Sequence, residues 1–316
     1  MNRGNNSQDR VVLITGAGGF IGEHAVKAFA AVGWRVIALS RGRLGGARES
    51  SGPTTTIFLQ HDLNGYENLV HVLKVFRPSA CLHLAAPSSV PASFQQPPHD
   101  FASHILPFMN LLEAVRRAGS ATKVLLISSA AVYGNPSALP VREDQEASPL
   151  SPYGYHKLHQ ELLLDQYRSL HGVRGCKARV FSTYGIGLRR LAVWDITRKA
   201  LSGDHTLYGT GSESRDYLHA NDVAQALLRI VENAAFDGES INVAAGCEVP
   251  ILELAETIYK ILETDAKPRL VPPPPDTGNP LRWCADITRL RDLGFAPQVG
   301  LQQGLSATVE WIRSHV

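Results

Sequence analysis

A tyrosine and a lysine stand four residues apart in the segment Tyr153-Gly154-Tyr155-His156-Lys157. On a helix this spacing places the phenol and the ammonium on one face. A phenol with its ordinary pKa of about 10 is a poor base at neutral pH, but a nearby positive charge favours the phenolate. The pair is therefore a candidate for passing a proton to or from a hydroxyl group. The alternative is a helix-start aromatic residue beside a solvated lysine.

Two serines, Ser128 and Ser129, open the run SSAAVYG over 128–134, directly after an apolar segment that predicts a strand. A serine at the carboxyl end of a strand can hydrogen-bond the same hydroxyl group, or a ketone. A turn-forming role is the alternative.

A glycine cluster follows four apolar residues near the start of the chain, in the segment VVLITGAGGFIG over 11–22. An apolar helical pattern comes next, so the order predicts a buried strand, a tight turn and a helix N-terminus. Gly16, Gly19 and Gly22 would let the backbone approach a pyrophosphate, which the N–H groups at the helix start would bind. The spacing is G-x-x-G-x-x-G, and an ordinary strand–helix turn is the alternative.

Composition limits the class of protein. The chain has 316 residues, 44% of them apolar and 19% charged, which suits one large globular domain or two medium ones. A net charge of +2 predicts neither a nucleic-acid partner nor an anionic membrane surface. The polar residues 1–10 predict a disordered N-terminus without a secretory signal, and no apolar run is long enough to span a membrane. The cysteines are far apart and predict reduced thiols in a cytoplasm and no metal site, at Cys81, Cys176, Cys247 and Cys284.

Strand and helix patterns alternate through the first part of the chain. Strands are predicted after the first one at 35–39, 54–59, 80–85, 123–128 and 176–181, and helices at 67–76, 100–118 and 153–171. This alternation predicts an α/β fold with a doubly wound parallel sheet, the Rossmann type, over 11–185. Pro107 within the second of these helices predicts a kink or a later start.

The alternation weakens after residue 185. Helices are predicted at 192–202, 220–233, 251–263 and 301–314, short strands at 205–208, 240–243 and 268–271, and a stiff loop at 272–275. We interpret 186–316 as a smaller α/β lobe that binds substrate over the carboxyl edge of the sheet, with some segments returning to the main sheet.

Six short motifs occur in a fixed order along the chain. They are TGAGGFIG at 15–22, HDL at 61–63, HLAA at 83–86, SSAAVYG at 128–134, YGYHK at 153–157 and RDYLH at 215–219. This ordered set resembles the extended short-chain dehydrogenase/reductases, in particular the nucleotide-sugar epimerase/dehydratase family. The resemblance extends from Val11 to the last predicted helix.

The resemblance implies a catalytic triad of Ser129, Tyr153 and Lys157. Ser129 matches better than Ser128, because the family serine lies four residues before the tyrosine of VYG. Lys157 would also hold the nicotinamide ribose. Asp62 would bind the adenine amino group.

The resemblance also implies the remaining contacts of the cofactor and the substrate. Two arginines match family residues that hold a substrate diphosphate, for which the planar guanidinium is well suited. The implied cofactor residues are Gly16, Gly19, Phe20, Ile21, Gly22, Ser40, Arg41, Asp62, Leu63, Ala85, Ala86, Pro87, Tyr153 and Lys157, and the implied substrate residues are Ser129, Ser182, Arg215 and Arg282.

Several positions depart from the family pattern. The second strand ends in Ser40 and Arg41, where NAD-preferring members carry an aspartate. The implied cofactor is NAD or NADP: Arg41 favours NADP if it meets a 2′-phosphate, and the alternative is that Arg41 is only a charged loop residue. Ser182 replaces a substrate-binding asparagine, and His104 stands where an asparagine is common. The 4,6-dehydratases carry Asp-Glu just after the active-site hydroxyl, whereas this chain has alanines at 130 and 131, which argues against dehydration.

Three functions follow as hypotheses. The first is a nucleotide-sugar 4-epimerase, the second an NADPH-dependent 4-ketoreductase acting on nucleotide sugars, and the third a non-catalytic sensor of NAD(P). The resemblance also implies a homodimer through a four-helix bundle of the helices at 100–118 and 153–171. Their surplus apolar positions are Leu106, Leu111, Leu162 and Leu163.

Overall fold

A seven-stranded parallel sheet forms the centre of the molecule, whose computed structural model describes residues 10–42, 56–272 and 278–316. The strand order is β11-β6-β5-β4-β1-β2-β3, and every neighbouring pair is parallel. The carboxyl ends of all seven strands therefore lie at one edge. The strands are β1 Val11–Thr15, β2 Arg35–Ser40, β3 Thr56–Gln60, β4 Ala80–His83, β5 Lys123–Ser129, β6 Gly175–Val180 and β11 Asp237–Val243.

Helices cover both faces of this sheet. The helices of the described residues are α1 Phe20–Ala31, α2 Glu67–Phe76, α3 Val90–Gln95, α4 Pro97–Ala118, α5 Pro152–His171, α6 Leu191–Leu201, α7 Ala220–Asn233, α8 Ile251–Ile261, α9 Thr288–Asp292 and α10 Leu301–Arg313. Among them, α6, α8 and α10 pack with one another away from this sheet. Alternate residues of β1 point to opposite faces. Val12 and Ile14 pack with α1 and α7, whereas Val11 and Leu13 pack with α2, α4 and α5.

A second apolar core lies outside the main sheet, between α6, α8 and α10. Three pairs of short strands accompany it, with β7 beside β10, β9 beside β12 and β8 beside β13. Their bounds are β7 Ser182–Tyr184, β8 Thr206–Tyr208, β9 Ser214–Arg215, β10 Tyr217–His219, β12 Val249–Pro250 and β13 Arg269–Val271.

The predicted fold class is confirmed, and two predicted elements need correction. Helix α4 begins at Pro97 and continues through Pro107, so the later start is wrong. Strand β4 ends at His83, two residues before the predicted end. Arg10 is not part of a free tail, because its guanidinium donates to a carboxylate oxygen of Glu232 at 3.0 Å. The predictions for 1–9, most of the loop at 41–53 and most of 272–275 fall outside the described residues.

Helices α4 and α5 pack against each other and leave large apolar side chains exposed on their outer surface. Leu106 is 49% exposed and Leu162 is 56% exposed, and the four-helix bundle stays a prediction. Leu111 is fully buried in the core, so its assignment to a partner-facing surface is wrong. Among the described helices, none combines the length and apolar character needed to cross a membrane.

Candidate active site

The segment from the end of β1 to the first turn of α1 admits only glycine at two positions of the G-x-x-G-x-x-G motif, Gly16 and Gly22. Gly16 adopts a φ of +71°, and a Cβ there would lie 2.7 Å from the backbone nitrogen of Ala85. A Cβ at Gly22 would overlap the Gly16 carbonyl and lie 2.9 Å from Ala17 backbone atoms. These close contacts hold the start of α1 tightly against the turn.

The N-terminus of α1 has no side-chain cap. Gly19 is the N-cap residue and contributes no side-chain cap, so the first amides of the helix, from Phe20, Ile21 and Gly22, have no capping side chain. Gly19 itself donates to the Gly16 carbonyl at 2.9 Å, which turns the chain into the helix. Free amides and the positive end of a helix dipole form an anion site. The turn therefore fits the pyrophosphate of a dinucleotide cofactor.

The ends of β2 and β3 meet at the position expected for the adenosine half of that cofactor. The His61 amide donates to the Ser40 carbonyl at 2.9 Å, and the Gln60 side chain donates to the Arg41 carbonyl at 3.0 Å. Asp62 follows at the surface and accepts a hydrogen bond from Asn64, while Leu63 is buried. Ser40, Arg41 and Asp62 thus lie together, although they are about 20 residues apart in sequence.

The predicted Ala85, Ala86 and Pro87 follow the end of β4, the strand next to β1. The Leu84 amide donates to the Thr15 carbonyl at 3.1 Å, which continues the pairing of the two strands to the glycine turn. Ala85 is in consequence the residue against which Gly16 packs.

Tyr153 lies in the first turn of α5 and is only 9% exposed. Ser151 caps this helix by accepting from the Gly154 amide, and the Tyr153 amide donates to the Ser93 hydroxyl at 3.0 Å. Burial raises the pKa of Tyr153, whereas a hydrogen bond from Ser129 and the charge of Arg190 oppose that rise. The backbone of Tyr153 is thus fixed at the start of α5, and Ser129 and Arg190 are near enough to influence its phenol.

The two adjacent serines face different surroundings. Ser128 is buried and donates to a Glu161 carboxylate oxygen at 2.5 Å, and the same carboxylate forms a buried ion pair with Arg179 at 2.7 Å. Ser129 is partly exposed at the carboxyl end of β5. Of the two serines, Ser129 is thus the one accessible to a ligand, and its catalytic role stays a prediction.

Lys157 is buried beneath Tyr153, one helical turn along α5. Its ammonium donates to the Ile127 carbonyl at 3.0 Å and to the side-chain oxygen of Gln160 at 3.2 Å. Burial lowers the pKa of Lys157 to about 8, although the nearby carboxylates of Asp100 and Glu161 act in the opposite direction. The predicted lowering of the Tyr153 pKa by this ammonium stays a prediction.

The substrate-binding candidates lie beyond the end of β6. Ser182 opens β7 in register with Tyr217 of β10, and its amide donates to the Asp216 carbonyl at 3.1 Å. Arg215 lies with its guanidinium carbon 5.3 Å from the ring centre of Trp283. These contacts bring Ser182 and Arg215 to one edge, with residue 282 next to the tryptophan.

Arg282 is exposed and already forms an ion pair within the protein. Its guanidinium forms a two-pronged ion pair with Glu248, with both nitrogen–oxygen distances at 2.7 Å. Glu248 also accepts from the hydroxyl of Ser214, the residue before Arg215. The two predicted arginines therefore belong to one local network, and a diphosphate on Arg282 would compete with Glu248.

The structure adds a buried carboxylate that sequence reasoning missed. Asp216 accepts hydrogen bonds from the backbone amides of Ala245, Gly246, Cys247 and Ala285 at 2.8–3.2 Å. Burial nevertheless raises the pKa of Asp216 to about 6. Asp216 joins three distant segments and so positions Arg215 and the 282–285 segment. Its only sequence signal was its place in the motif RDYLH.

Asp100, His104 and His156 form a buried cluster behind Tyr153. His156 Nδ1 lies 2.6 Å from the Asp100 carboxylate, and His104 Nδ1 lies 2.7 Å from the Asp100 carbonyl oxygen. Their potential ligand atoms lie within 4.8 Å of one another, which is a spacing that a metal ion could use. These hydrogen bonds already satisfy both Nδ1 atoms, and the prediction of no metal site stays a prediction.

A parallel sheet with a glycine turn after its first strand, and Ser129, Tyr153 and Lys157 at its carboxyl edge, defines an extended short-chain dehydrogenase/reductase. The model of the NAD dependent epimerase/dehydratase family matches residues 12–244, and the chain belongs to that family.

Relatives and solved structures match along nearly the whole chain. A UDP-glucose 4-epimerase of Mycolicibacterium smegmatis is 33% identical over 311 residues, which covers 96% of this chain and 98% of that protein. The structure of a Thermus thermophilus UDP-glucose 4-epimerase in complex with NAD is 29% identical with a TM-score of 0.83, covering 97% of this chain and 100% of that one. DesIV, a dTDP-glucose 4,6-dehydratase from Streptomyces venezuelae with NAD and TYD bound, is 26% identical with a TM-score of 0.85, covering 96% and 97%.

Proposed function

We propose that this protein is an NAD(P)-dependent nucleotide-sugar 4-epimerase that acts on a UDP-hexose or a closely related sugar. The observation that carries the proposal is the set of Ser129 at the carboxyl end of β5 and Tyr153 in the first turn of α5, with alanines at 130 and 131 directly after the serine in the chain. One phenol can take the proton of a sugar hydroxyl and return it later. A 4-epimerization needs no second acid–base group, so this set is sufficient for it.

Each residue of the triad has a separate task in this reaction. Tyr153, as the phenolate, removes the proton from the C4 hydroxyl, and the same oxygen donates it back after the sugar has turned over. Ser129 donates a hydrogen bond to the developing oxygen or to the phenolate. Burial raises the pKa of Tyr153, and Lys157 is proposed to supply a positive charge one helical turn along α5 that favours the phenolate. A nicotinamide bound at this edge would accept a hydride from the sugar C4 and return it to the opposite face.

Dehydration is disfavoured in this proposal, although one structural neighbour is a 4,6-dehydratase. Loss of water from the sugar needs an acid and a base near C5 and C6 in addition to the C4 phenol. The family pattern places them at positions 130 and 131, where this chain has alanines. Ala130 is fully buried, so that position is occupied by core packing.

The substrate lobe, 186–316, is proposed to bind the diphosphate through Arg215 and Arg282, with Ser182 beside the sugar. Relatives named for UDP-glucose and UDP-glucuronate support a uridine diphosphate substrate.

The exposed apolar surface of α4 and α5 supports a homodimer built from these two helices.

NAD is the cofactor that the neighbouring structures support. NADP stays the alternative, because Ser40 and Arg41 end β2 where an aspartate would favour NAD. The same two residues favour a second candidate function, an NADPH-dependent 4-ketoreductase. A reductase would use Tyr153 to donate a proton to a 4-keto sugar and would consume one NADPH per turnover.

Two assays on the purified protein separate these functions. With UDP-glucose or UDP-galactose and catalytic NAD, an epimerase interconverts the C4 isomers, seen by chromatography or NMR, without net change in absorbance at the nicotinamide band. A reductase leaves these sugars unchanged and oxidizes NADPH stoichiometrically with a 4-keto sugar nucleotide. Mass spectrometry of the dinucleotide released from the purified protein identifies NAD or NADP. Release of a 4-keto-6-deoxy product would contradict the proposal.

A further inference from the structure

Gln160 is a fully buried amide one helical turn after Lys157 on α5. Its side-chain oxygen accepts from Lys157 Nζ at 3.2 Å, and its side-chain nitrogen donates to the His104 carbonyl of α4 at 2.8 Å. An ammonium group can only donate and a carbonyl can only accept, so the two ends of this amide cannot be exchanged. Gln160 is thus a directed bridge from α4 to Lys157.

The ammonium of Lys157 has three N–H donors. One donates to the Ile127 carbonyl at 3.0 Å and a second to Gln160 at 3.2 Å. Ile127 belongs to β5, two residues before Ser129, whereas Gln160 connects to α4. Two acceptors on different elements fix the direction of the third N–H. A flexible lysine side chain otherwise loses substantial rotamer entropy when it is held in one geometry.

The α4 end of the bridge is itself held in place. His104 donates through Nδ1 to the Asp100 carbonyl at 2.7 Å, and His156 of α5 bonds the Asp100 carboxylate at 2.6 Å. The carbonyl that anchors Gln160 therefore sits in a segment tied to α5 at a second point. A shift of α4 relative to α5 would move the acceptor of Lys157.

We propose that Gln160 is a positioning residue of the active site, which orients the Lys157 ammonium so that its third N–H is directed to the reacting groups and the cofactor ribose. This inference rests on the proposed function in that it takes Lys157 as part of the catalytic set. Gln160 acts only through Lys157 and touches no reacting atom. Without it the ammonium keeps one backbone acceptor and can leave its working position.

The test replaces Gln160 in two ways and compares each with a matched control on the same helix. Gln160→Leu removes both hydrogen bonds at similar volume, and Gln160→Glu retains an acceptor for Lys157 and adds a negative charge. Gln166→Leu is the control, because Gln166 is exposed on α5. We expect kcat to fall roughly 10- to 100-fold in Gln160→Leu, the range for a hydrogen bond to a charged group. We expect a smaller loss in Gln160→Glu and no change in the control.

The pH dependence of kcat separates positioning from general destabilisation. Loss of the acceptor in Gln160→Leu disfavours the ammonium, so the alkaline loss of activity moves to lower pH. The carboxylate in Gln160→Glu favours the ammonium and moves that loss to higher pH. The titratable groups facing Lys157 are unchanged in both variants, namely His83 of β4, Asp100 and His104 of α4, and Tyr153 and Glu161 of α5.

The proposal is supported if the alkaline decline of kcat moves to lower pH in Gln160→Leu and to higher pH in Gln160→Glu. It is overturned if the decline moves equally in both variants, or if kcat falls by the same factor at every pH. If Gln160→Leu does not fold, the upward shift in Gln160→Glu decides the question alone. Calorimetric binding of NAD to the same variants across pH is a readout that needs no turnover. Wild-type protein that binds NAD but epimerizes nothing contradicts the proposed function, and the binding profiles then still test Gln160. A stoichiometric metal ion in the purified protein, lost together with the activity on chelation, would assign the cluster of Asp100, His104 and His156 to metal binding and overturn the proposal.

Discussion

Gly19 and Gly22 belong to one glycine motif, but the structure predicts different consequences for their replacement. Gly19 is exposed at the N-cap of α1 with an ordinary φ of −82°, and a Cβ there would meet only the Gly16 carbonyl, at 3.2 Å. Gly22 is buried against the turn, and its Cβ would meet Ala17 backbone atoms at 2.9 Å in addition to the overlapping Gly16 carbonyl. Ordinary carbon contacts lie near 3.5–4.0 Å.

Gly19→Val should therefore leave the protein folded, with a loss of about 1 kcal/mol in unfolding free energy, typical of a β-branched residue at an N-cap. The side chain would occupy the space in front of the free amides, so the dissociation constant for the dinucleotide should rise more than about 100-fold, equivalent to roughly 2.7 kcal/mol. Gly22→Ala should instead lower the unfolding free energy by about 1–3 kcal/mol, since the backbone must move to relieve the overlap.

Gly300→Val is the matched control for Gly19→Val. Gly300 is also a helix N-cap without a side-chain cap, at α10, and a Cβ there meets nothing within 4 Å. Urea unfolding should report a similar small loss for both valine variants, whereas titration calorimetry with NAD should report weak binding only for Gly19→Val. Equal NAD affinity in the two variants would refute the assignment of this turn to the pyrophosphate.

The remaining predictions concern the reaction, the cofactor and the assembly. Tyr153→Phe should lower kcat by roughly 10²–10⁴-fold with UDP-sugar affinity retained, and full activity would contradict its role. The rate should fall as pH rises above 8, by about tenfold at pH 9, because Lys157, with its pKa lowered to about 8, loses its proton; a flat alkaline profile would exclude a need for the ammonium. Arg41→Ala should weaken NADP(H) binding by about 1.5–3 kcal/mol and barely affect NAD(H), and equal losses would remove the argument for NADP. Leu162→Glu and Leu106→Glu should each convert a dimer to monomers, as measured by light scattering. A monomeric wild-type protein would contradict the predicted four-helix bundle.

Local patterns in the sequence are sufficient for the main elements of this fold. Helix α2 is observed at Glu67–Phe76 and helix α7 at Ala220–Asn233, with the predicted bounds. Both have a clear 3.6-residue apolar period, which depends only on neighbours along the chain. The strand–turn–helix order around Gly16, Gly19 and Gly22 is local for the same reason. The choice of Ser129 over Ser128 came from the resemblance, since both serines follow the same strand.

The partners of the buried polar groups depend on the tertiary structure. Ser128 finds Glu161 across 33 residues, and Asp216 bonds the amide of Ala285 across 69. Residue spacing in the sequence does not predict such contacts, because they form only where separate elements pack together. Leu111 shows the same limit, since its helical position alone did not reveal which side of α4 faces the sheet.

At the active site, some features are determined by the sequence alone and others only by tertiary packing, and the difference has a physical cause. A catalytic motif such as Tyr153-x-x-x-Lys157 is set by the geometry of one helix, so the sequence by itself determined which phenol and which ammonium lie on one face. The direction of that ammonium depends on acceptors from β5 and, through Gln160, from α4. Hydrogen bonds form only over about 3 Å, so those acceptors were decided by the packing of the sheet and the two helices.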